Sequence, residues 1–127
     1  MDFTSEPTVK LDHLVILASD LARSAAWYDR LLPLLGFRRL RAHVYANDDG
    51  LHLDLRSARP ETGPYQRHGP GLNHLGFTAQ SREQIEAVAA ALVAHGITVP
   101  ALQQFGNDVA LFLPDPDGLR VELSTYG

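Results

Sequence analysis

The chain repeats itself, and that repetition limits what it can fold into more than any other feature. Leu11-Asp12-His13-Leu14 returns as Leu72-Asn73-His74-Leu75 after 61 residues, and Ala18 returns as Ala79 at the same offset. Gly50-Leu51-His52-Leu53-Asp54-Leu55 returns as Gly118-Leu119-Arg120-Val121-Glu122-Leu123 after 68. Between these motifs each copy holds a helical pattern closed by glycine, at Gly36-Phe37 and at Gly96-Ile97. One unit is therefore used twice. The first module is placed at 10–57 and the second at 72–124, within a single domain spanning 1–127. The linker, 58–71, holds Pro60, Gly63, Pro64, Gly69, Pro70 and Gly71, which are turn and loop residues.

Each module reads as a strand, a helix and three more strands. In the first, Lys10 to Ala18 is β-rich. Asp20 caps a helix with apolar positions Leu21, Ala25, Tyr28, Leu31, Leu32 and Leu35. Pro33 ends or bends it, because proline lacks the helix donor. Phe37 to Leu40, Ala42 to Ala46 and Leu51 to Arg56 follow as strands, with Asn47-Asp48-Asp49-Gly50 as a turn. In the second, Leu72 to Ala79 is a strand. Ser81 and Gln84 form a capping box, and Ile85, Val88, Ala89, Leu92 and Val93 make an apolar stripe ending at Gly96. Ile97 to Val99, Val109 to Leu113 and Leu119 to Ser124 are the remaining strands, the last two joined by Pro114-Asp115-Pro116-Asp117-Gly118.

Alternation along strands sorts the side chains into two faces. Leu14, Ile16, Leu75 and Phe77 face the helices, so His13 and His74 face away. Leu51, Leu53, Leu55, Leu119, Val121 and Leu123 face inward, so His52, Asp54, Arg56, Arg120, Glu122 and Ser124 face outward. His13, Asp54, His74 and Glu122 thus occupy equivalent places in two equivalent sheets. A pseudo-twofold between the sheets brings four ligand-type side chains toward one point. Imidazole and carboxylate suit Zn, Ni, Mn or Fe(II), and open coordination positions suit catalysis.

Composition narrows the chemistry further. The chain has no cysteine, so disulfides, thiolate metal sites and Cys nucleophiles are excluded. Eleven Lys and Arg against fifteen Asp and Glu give a net charge of −4. Nucleic acid and anionic membranes call for a basic face, so neither is an expected partner. No run approaches the ~20 apolar residues of a membrane span. The first ten residues read as no signal peptide, and a cytoplasmic protein is expected. No phosphate loop, dinucleotide fingerprint or serine-hydrolase elbow is present.

Asp12-His13-Leu14, the helix from Trp27-Tyr28 to Leu35-Gly36-Phe37, Asn73-His74-Leu75-Gly76-Phe77, and Asp115-Pro116-Asp117-Gly118 leading to Val121-Glu122-Leu123 together resemble the vicinal oxygen chelate superfamily. That superfamily includes glyoxalase I, extradiol dioxygenases and the fosfomycin and bleomycin resistance proteins. The resemblance runs from Leu11 to Ser124. It implies an α+β fold of two βαβββ modules forming a curved eight-stranded half-barrel around one divalent metal per site. Carried over by position, His13, His74 and Glu122 match its metal ligands directly. Asp54 falls where glyoxalase I has glutamate. Glu122, with Asp54, is the implied catalytic carboxylate. The resemblance implies a metal-dependent lyase or isomerase that stabilises an enediolate-like intermediate. Its alternatives are an Fe(II) extradiol-type dioxygenase and a non-catalytic ligand-sequestering protein of the bleomycin-resistance type. It also implies a homodimer with sites that can lie at the interface. His52, Arg56, His43, Tyr45 and Arg120 are candidate substrate-pocket residues. His68, His95, Asp115, Asp117, Trp27 and Tyr28 read as structural. A ferredoxin-like fold, with two strands after the first helix, is the structural alternative.

Overall fold

The computed structural model describes residues 8–126. The first module contains β1 (His13–Ala18), α1 (Leu21–Leu31), β2 (Arg38–Arg41), β3 (Val44–Ala46) and β4 (His52–Ser57). The second contains β5 (His74–Thr78), α2 (Arg82–Ala94), β6 (Gln103–Phe105), β7 (Asp108–Pro114) and β8 (Arg120–Ser124). Three strands follow α1, which excludes the ferredoxin-like alternative. The sheets have matching orders, β1-β4-β3-β2 and β5-β8-β7-β6, and β1 runs parallel to β4 as β5 does to β8. No strand pair among the described residues joins the two sheets, so the eight strands form two four-stranded sheets and no closed barrel.

Local chemistry sets the element ends. Asp20 accepts a hydrogen bond from Arg23 N at 3.2 Å and caps α1. Pro33 sits in the short 3₁₀ turn Leu32–Leu35 that closes this helix, where its missing N–H costs no α-helical bond. Ser81 Oγ accepts from Gln84 N at 3.1 Å, and Gln84 Oε1 accepts from Gln80 N at 2.7 Å, one residue before the cap. Gly96 takes φ 80° after α2, the left-handed value that ends a helix.

One continuous core lies between the inner faces of the sheets and the helices. Tyr28, Leu31, Ile85, Val88 and Leu92 supply the helix side, and Leu53, Leu55, Leu111, Val121 and Leu123 the sheet side. Each buried aliphatic or aromatic side chain contributes roughly 1.5–3 kcal/mol relative to exposure. Phe37 and Phe77 meet edge to face at 5.7 Å, joining the modules. Packing the inner faces on the helices leaves the outer faces of both sheets open, and these carry the histidines.

The strand expected at Ile97 to Val99 is absent, and the sixth strand is Gln103–Phe105. Ile97 and Val99 pack against the core from a loop, and Pro100 beside them has no N–H for a ladder. The actual strand is exposed throughout and pairs Phe105 with Asp108 across a two-residue turn at Gly106-Asn107. No helix among the described residues is long and apolar enough to cross a membrane.

Candidate functional site

The outer face of the second sheet holds an assembled pair. Register places His74 beside Arg120, Gly76 beside Glu122, and Phe112 on the other side of Glu122. His74 Nε2 lies 3.0 Å from Glu122 Oε1. Gly76 makes this approach possible: a Cβ there would sit 3.4 Å from Glu122 Oε1, and a longer side chain would take the carboxylate's place. Phe112 meets the His74 ring edge to face at 5.9 Å. Tyr126 donates its hydroxyl hydrogen to Glu122 Oε2. Glu122 is only 4% exposed, so this is a carboxylate withdrawn from water rather than the solvated face residue that alternation alone suggests.

The hydrogen bonds around His74 fix its tautomer. Asn73 Nδ2 donates to Arg67 O at 3.0 Å, which turns Asn73 Oδ1 toward His74 Nδ1, 2.8 Å away. Nδ1 must therefore carry the hydrogen, and a neutral imidazole then aims the Nε2 lone pair at a carboxylate oxygen. Two lone pairs at 3.0 Å need a cation between or beside them. A proton on Nε2 answers that need, and so does a divalent ion. Metal–nitrogen and metal–oxygen bonds of about 2.0–2.2 Å at right angles put two donor atoms about 3 Å apart. An outer-shell acceptor on the far ring nitrogen is the usual support of a ligating histidine. His74 and Glu122 therefore fit a first-row divalent ion in spacing, tautomer and donor type.

The first sheet presents its donors without gathering them. His13 Nδ1 donates to Asp12 Oδ2 at 2.9 Å, leaving Nε2 free on a side chain 58% exposed. That hydrogen bond holds the Asp12 carboxyl below its usual range. Asp54 faces Arg56, 3.5 Å away, and His52 Nδ1 donates to Gly50 O at 3.0 Å. Val15 lies opposite Asp54 in the register, at the place Gly76 fills in the second sheet. Among the described residues no three His, Asp or Glu side chains come together where one ion could sit. The structure thus joins His74 with Glu122 and brings neither His13 nor Asp54 to them within the chain.

Of the expected pocket residues, Arg120 lies on the open face with its guanidinium 4.6 Å from the centre of the Phe112 ring. His52 and Arg56 lie on the open face of the first sheet. His43 and Tyr45 do not share a pocket face, which corrects the sequence reading. The register shifts between Arg39 and Arg41, and His43 turns at φ 67° between β2 and β3. Tyr45 then pairs with Leu53 and points into the core, where it is buried and its hydroxyl donates to Asp29.

Asp115 is more than a turn former. It is buried, its Oδ1 accepts from Asp117 N and Leu119 N, and its Oδ2 accepts from Tyr28 Oη at 2.7 Å. Burial pushes its carboxyl above the ordinary value, and burial beside it pushes the Tyr28 hydroxyl up as well. His95 accepts from Arg30 at 2.7 Å and closes the end of α2. A cavity of about 510 Å³ on that side, lined by Arg23, Trp27, Arg30 and His95, includes neither His74 nor Glu122. Sequence reasoning missed Gly76, Phe112 and Tyr126 as parts of the site. For Gly76 a signal existed, since the repeat sets it against Val15.

Comparison with known proteins agrees with this fold. The model of the Glyoxalase/Bleomycin resistance protein/Dioxygenase superfamily matches residues 10–123. The uncharacterized protein YqjT of Bacillus subtilis (strain 168) is 31% identical over 123 residues, covering 89% of this chain and 96% of that protein. A putative glyoxalase from Bacillus halodurans superimposes with a TM-score of 0.77 at 27% identity, over 90% of this chain and 93% of that one. A glyoxylase/bleomycin resistance protein/dioxygenase domain from Frankia sp. EAN1pec gives 0.75 at 21% identity, over 93% and 98%. The repeat, the paired four-stranded sheets and the extent of these matches place one conclusion beyond the fold alone: this chain belongs to the Glyoxalase/Bleomycin resistance protein/Dioxygenase superfamily.

Proposed function

We propose that the chain is a divalent-metal-dependent enzyme of the lyase or isomerase type, acting on a small molecule with two neighbouring oxygens. His74 and Glu122 hold the ion from one chain, and His13 and Asp54 of a second copy complete its donors. The observation that carries this reading is the 3.0 Å approach of His74 Nε2 to Glu122 Oε1, with Nδ1 committed to Asn73. When bound, a Zn, Ni, Mn or Fe(II) ion supplies Lewis-acid and templating chemistry. The chain's own residues do the rest. Glu122 is the buried carboxylate of the open face and is the group that takes and returns a proton; such a base typically contributes 10²–10⁴-fold. Tyr126 holds its other oxygen, and Phe112 stands beside it across β7 and β8.

A second copy is supported by what the first sheet exposes. Val15 and Leu17 follow His13 along the same face of β1 and are 41% and 58% exposed. Apolar side chains beside a histidine whose Nε2 is free suit a covered surface.

Metal content of protein purified without chelator or affinity metal tests the reading. About one ion per subunit is expected, falling in His74→Ala and Glu122→Ala. No ion, and no rise in melting temperature on adding Ni, Mn, Zn or Fe(II), overturns it and leaves the ligand-sequestering alternative. Sharing between copies has its own test. His13→Ala/Asp54→Ala chains mixed with His74→Ala/Glu122→Ala chains regain one intact site per mixed dimer if sites are shared, and none if each chain builds its own. A methylglyoxal–thiol assay set beside a catechol assay under Fe(II) then separates isomerisation from oxygenation.

A further inference from the structure

Arg120 has a position that the proposed chemistry leaves unused. It stands next to His74 across β5 and β8, and two residues before Glu122 on the same face. A strand rise of about 3.3 Å per residue sets it about 7 Å from Glu122 along β8. Its guanidinium lies over Phe112, the ring that also touches His74. Phe112 is therefore a shared platform, with the imidazole at its edge and the cation on its face.

No acid answers this cation. Glu122, the nearest candidate on the face, gives Oε1 to His74 and Oε2 to Tyr126. Asp115 and Asp117 in the preceding turn are engaged by Tyr28 and Ser19. Among the described residues no ion pair includes Arg120, and its Nε is buried without a hydrogen-bond partner. The contrast with Arg56 is direct, since Arg56 faces Asp54 in the other sheet. At the place equivalent to Arg120 the first sheet has His52, whose Nδ1 is spent on Gly50 O. A planar fork of donors, held over a ring and left unpaired, is a receptor for a planar anion, above all a carboxylate.

We propose that Arg120 receives the substrate's carboxylate, so that the molecules taken by this site are small acids whose negative group stands about one ring's width from the pair of neighbouring oxygens. This rests on the metal reading given above for the oxygens, but the Arg120 receptor is separable from it.

Two arms test it. In the first, protein reconstituted with Zn(II) is titrated calorimetrically with 3,4-dihydroxybenzoate and with catechol, which share the two oxygens and differ by the carboxylate. The wild type is expected to prefer the acid by roughly tenfold or more, the value of one charge-assisted hydrogen bond. Arg120→Met is expected to lose that preference with zinc content unchanged. Equal affinity for the two in the wild type, or a preference that survives Arg120→Met, overturns the proposal. In the second arm, metal-free protein is titrated with benzoate and with benzyl alcohol while the Arg120 Nε–H resonance and the backbone at Phe112 are followed by NMR. Benzoate is expected to shift both, benzyl alcohol neither, and Arg120→Met to abolish the Phe112 shift. If the protein takes up no metal, the metal reading fails and this second arm alone decides Arg120. Silence of both resonances to benzoate ends the inference.

Discussion

The two halves of the molecule have the same strand order, the same parallel pairing and the same outward-facing positions, but only one of them brings its histidine to its carboxylate. In the second half, Glu122 is walled by Phe112 and Tyr126 and reaches His74. In the first, Asp54 is 18% exposed, one methylene shorter, and turned to Arg56. The backbone does not make this difference. The neighbour across the parallel pair does: Gly76 stands beside Glu122, and Val15 stands beside Asp54. A duplicated fold places donors in equivalent rows. The volume of one adjacent side chain then decides which of them meet.

The largest expected effect comes from exchanging that volume. Gly76→Val puts the branched side chain of the first half into the second, where even a Cβ is 3.4 Å from Glu122 Oε1. Overpacking of this kind costs about 1–3 kcal/mol. Metal affinity should fall by more than roughly 100-fold, beyond the usual loss from a supporting residue. Gly76→Ala adds only an ordinary contact and should keep most of the binding. Equal metal content in all three proteins, measured after dialysis, would show that the close approach at residue 76 is not what assembles the pair.

The reverse exchange is a smaller effect and a sharper question. Val15→Gly with Asp54→Glu gives the first half the glycine and the longer carboxylate of the second. The glycine should cost about 0.5–1 kcal/mol in a strand. His13 should then exchange free Nε2 for a carboxylate contact, visible as a change in its imidazole nitrogen shifts. Val15→Gly alone should leave them where they are. If the double variant leaves them unmoved too, the pull of Arg56 on residue 54, not the bulk at residue 15, keeps the first half apart.

The parts legible in the sequence are those that repetition and alternation control. The two modules, the inward rows of leucine and valine, the caps at Asp20 and Ser81, and the outward placement of His13, Asp54, His74 and Glu122 all follow from spacing. Elements that break alternation were not legible. The apolar run Ile97 to Val99 is used as loop packing, whereas Gln103–Phe105 is an exposed edge strand with no hydrophobic row to announce it. Pairing decides the face of the middle strand: Tyr45 stands opposite Leu53, an inward residue of β4, and so goes to the core. Contacts among side chains were the least legible. Nothing in the spacing says that the Tyr126 hydroxyl meets Glu122, or that the Arg120 guanidinium stands over Phe112.

The smallest expected effect lies where the halves differ by a single atom type. Asn47 and Asp115 sit at equivalent turns and make equivalent bonds. Asn47 Oδ1 accepts from Asp49 N and Leu51 N, both at 3.0 Å, and Asp115 Oδ1 accepts from Asp117 N at 2.8 Å and Leu119 N at 3.0 Å. The second turn differs in having an ionisable residue at this position, and that residue takes the Tyr28 hydroxyl on its other oxygen. Burial raises the Asp115 carboxyl above its ordinary 3.8, so the folded chain keeps that proton to a higher pH than the unfolded chain. The sign follows from linkage: the folded state binds more protons across that interval, so stability falls as pH rises from about the ordinary carboxyl value through the raised one, and is level above it. Asp115→Asn keeps the two backbone bonds through its carbonyl oxygen and offers Tyr28 an amide donor. It should change stability at neutral pH by less than about 1 kcal/mol. It should also remove this share of the decline. The difference in melting temperature, variant minus wild type, should therefore grow in the positive direction as pH is raised from 3.5 upward. A difference that shrinks over the same range would mean that the hydrogen bonds to the carboxylate outweigh its burial, and that aspartate at this position is the more stable of the two choices.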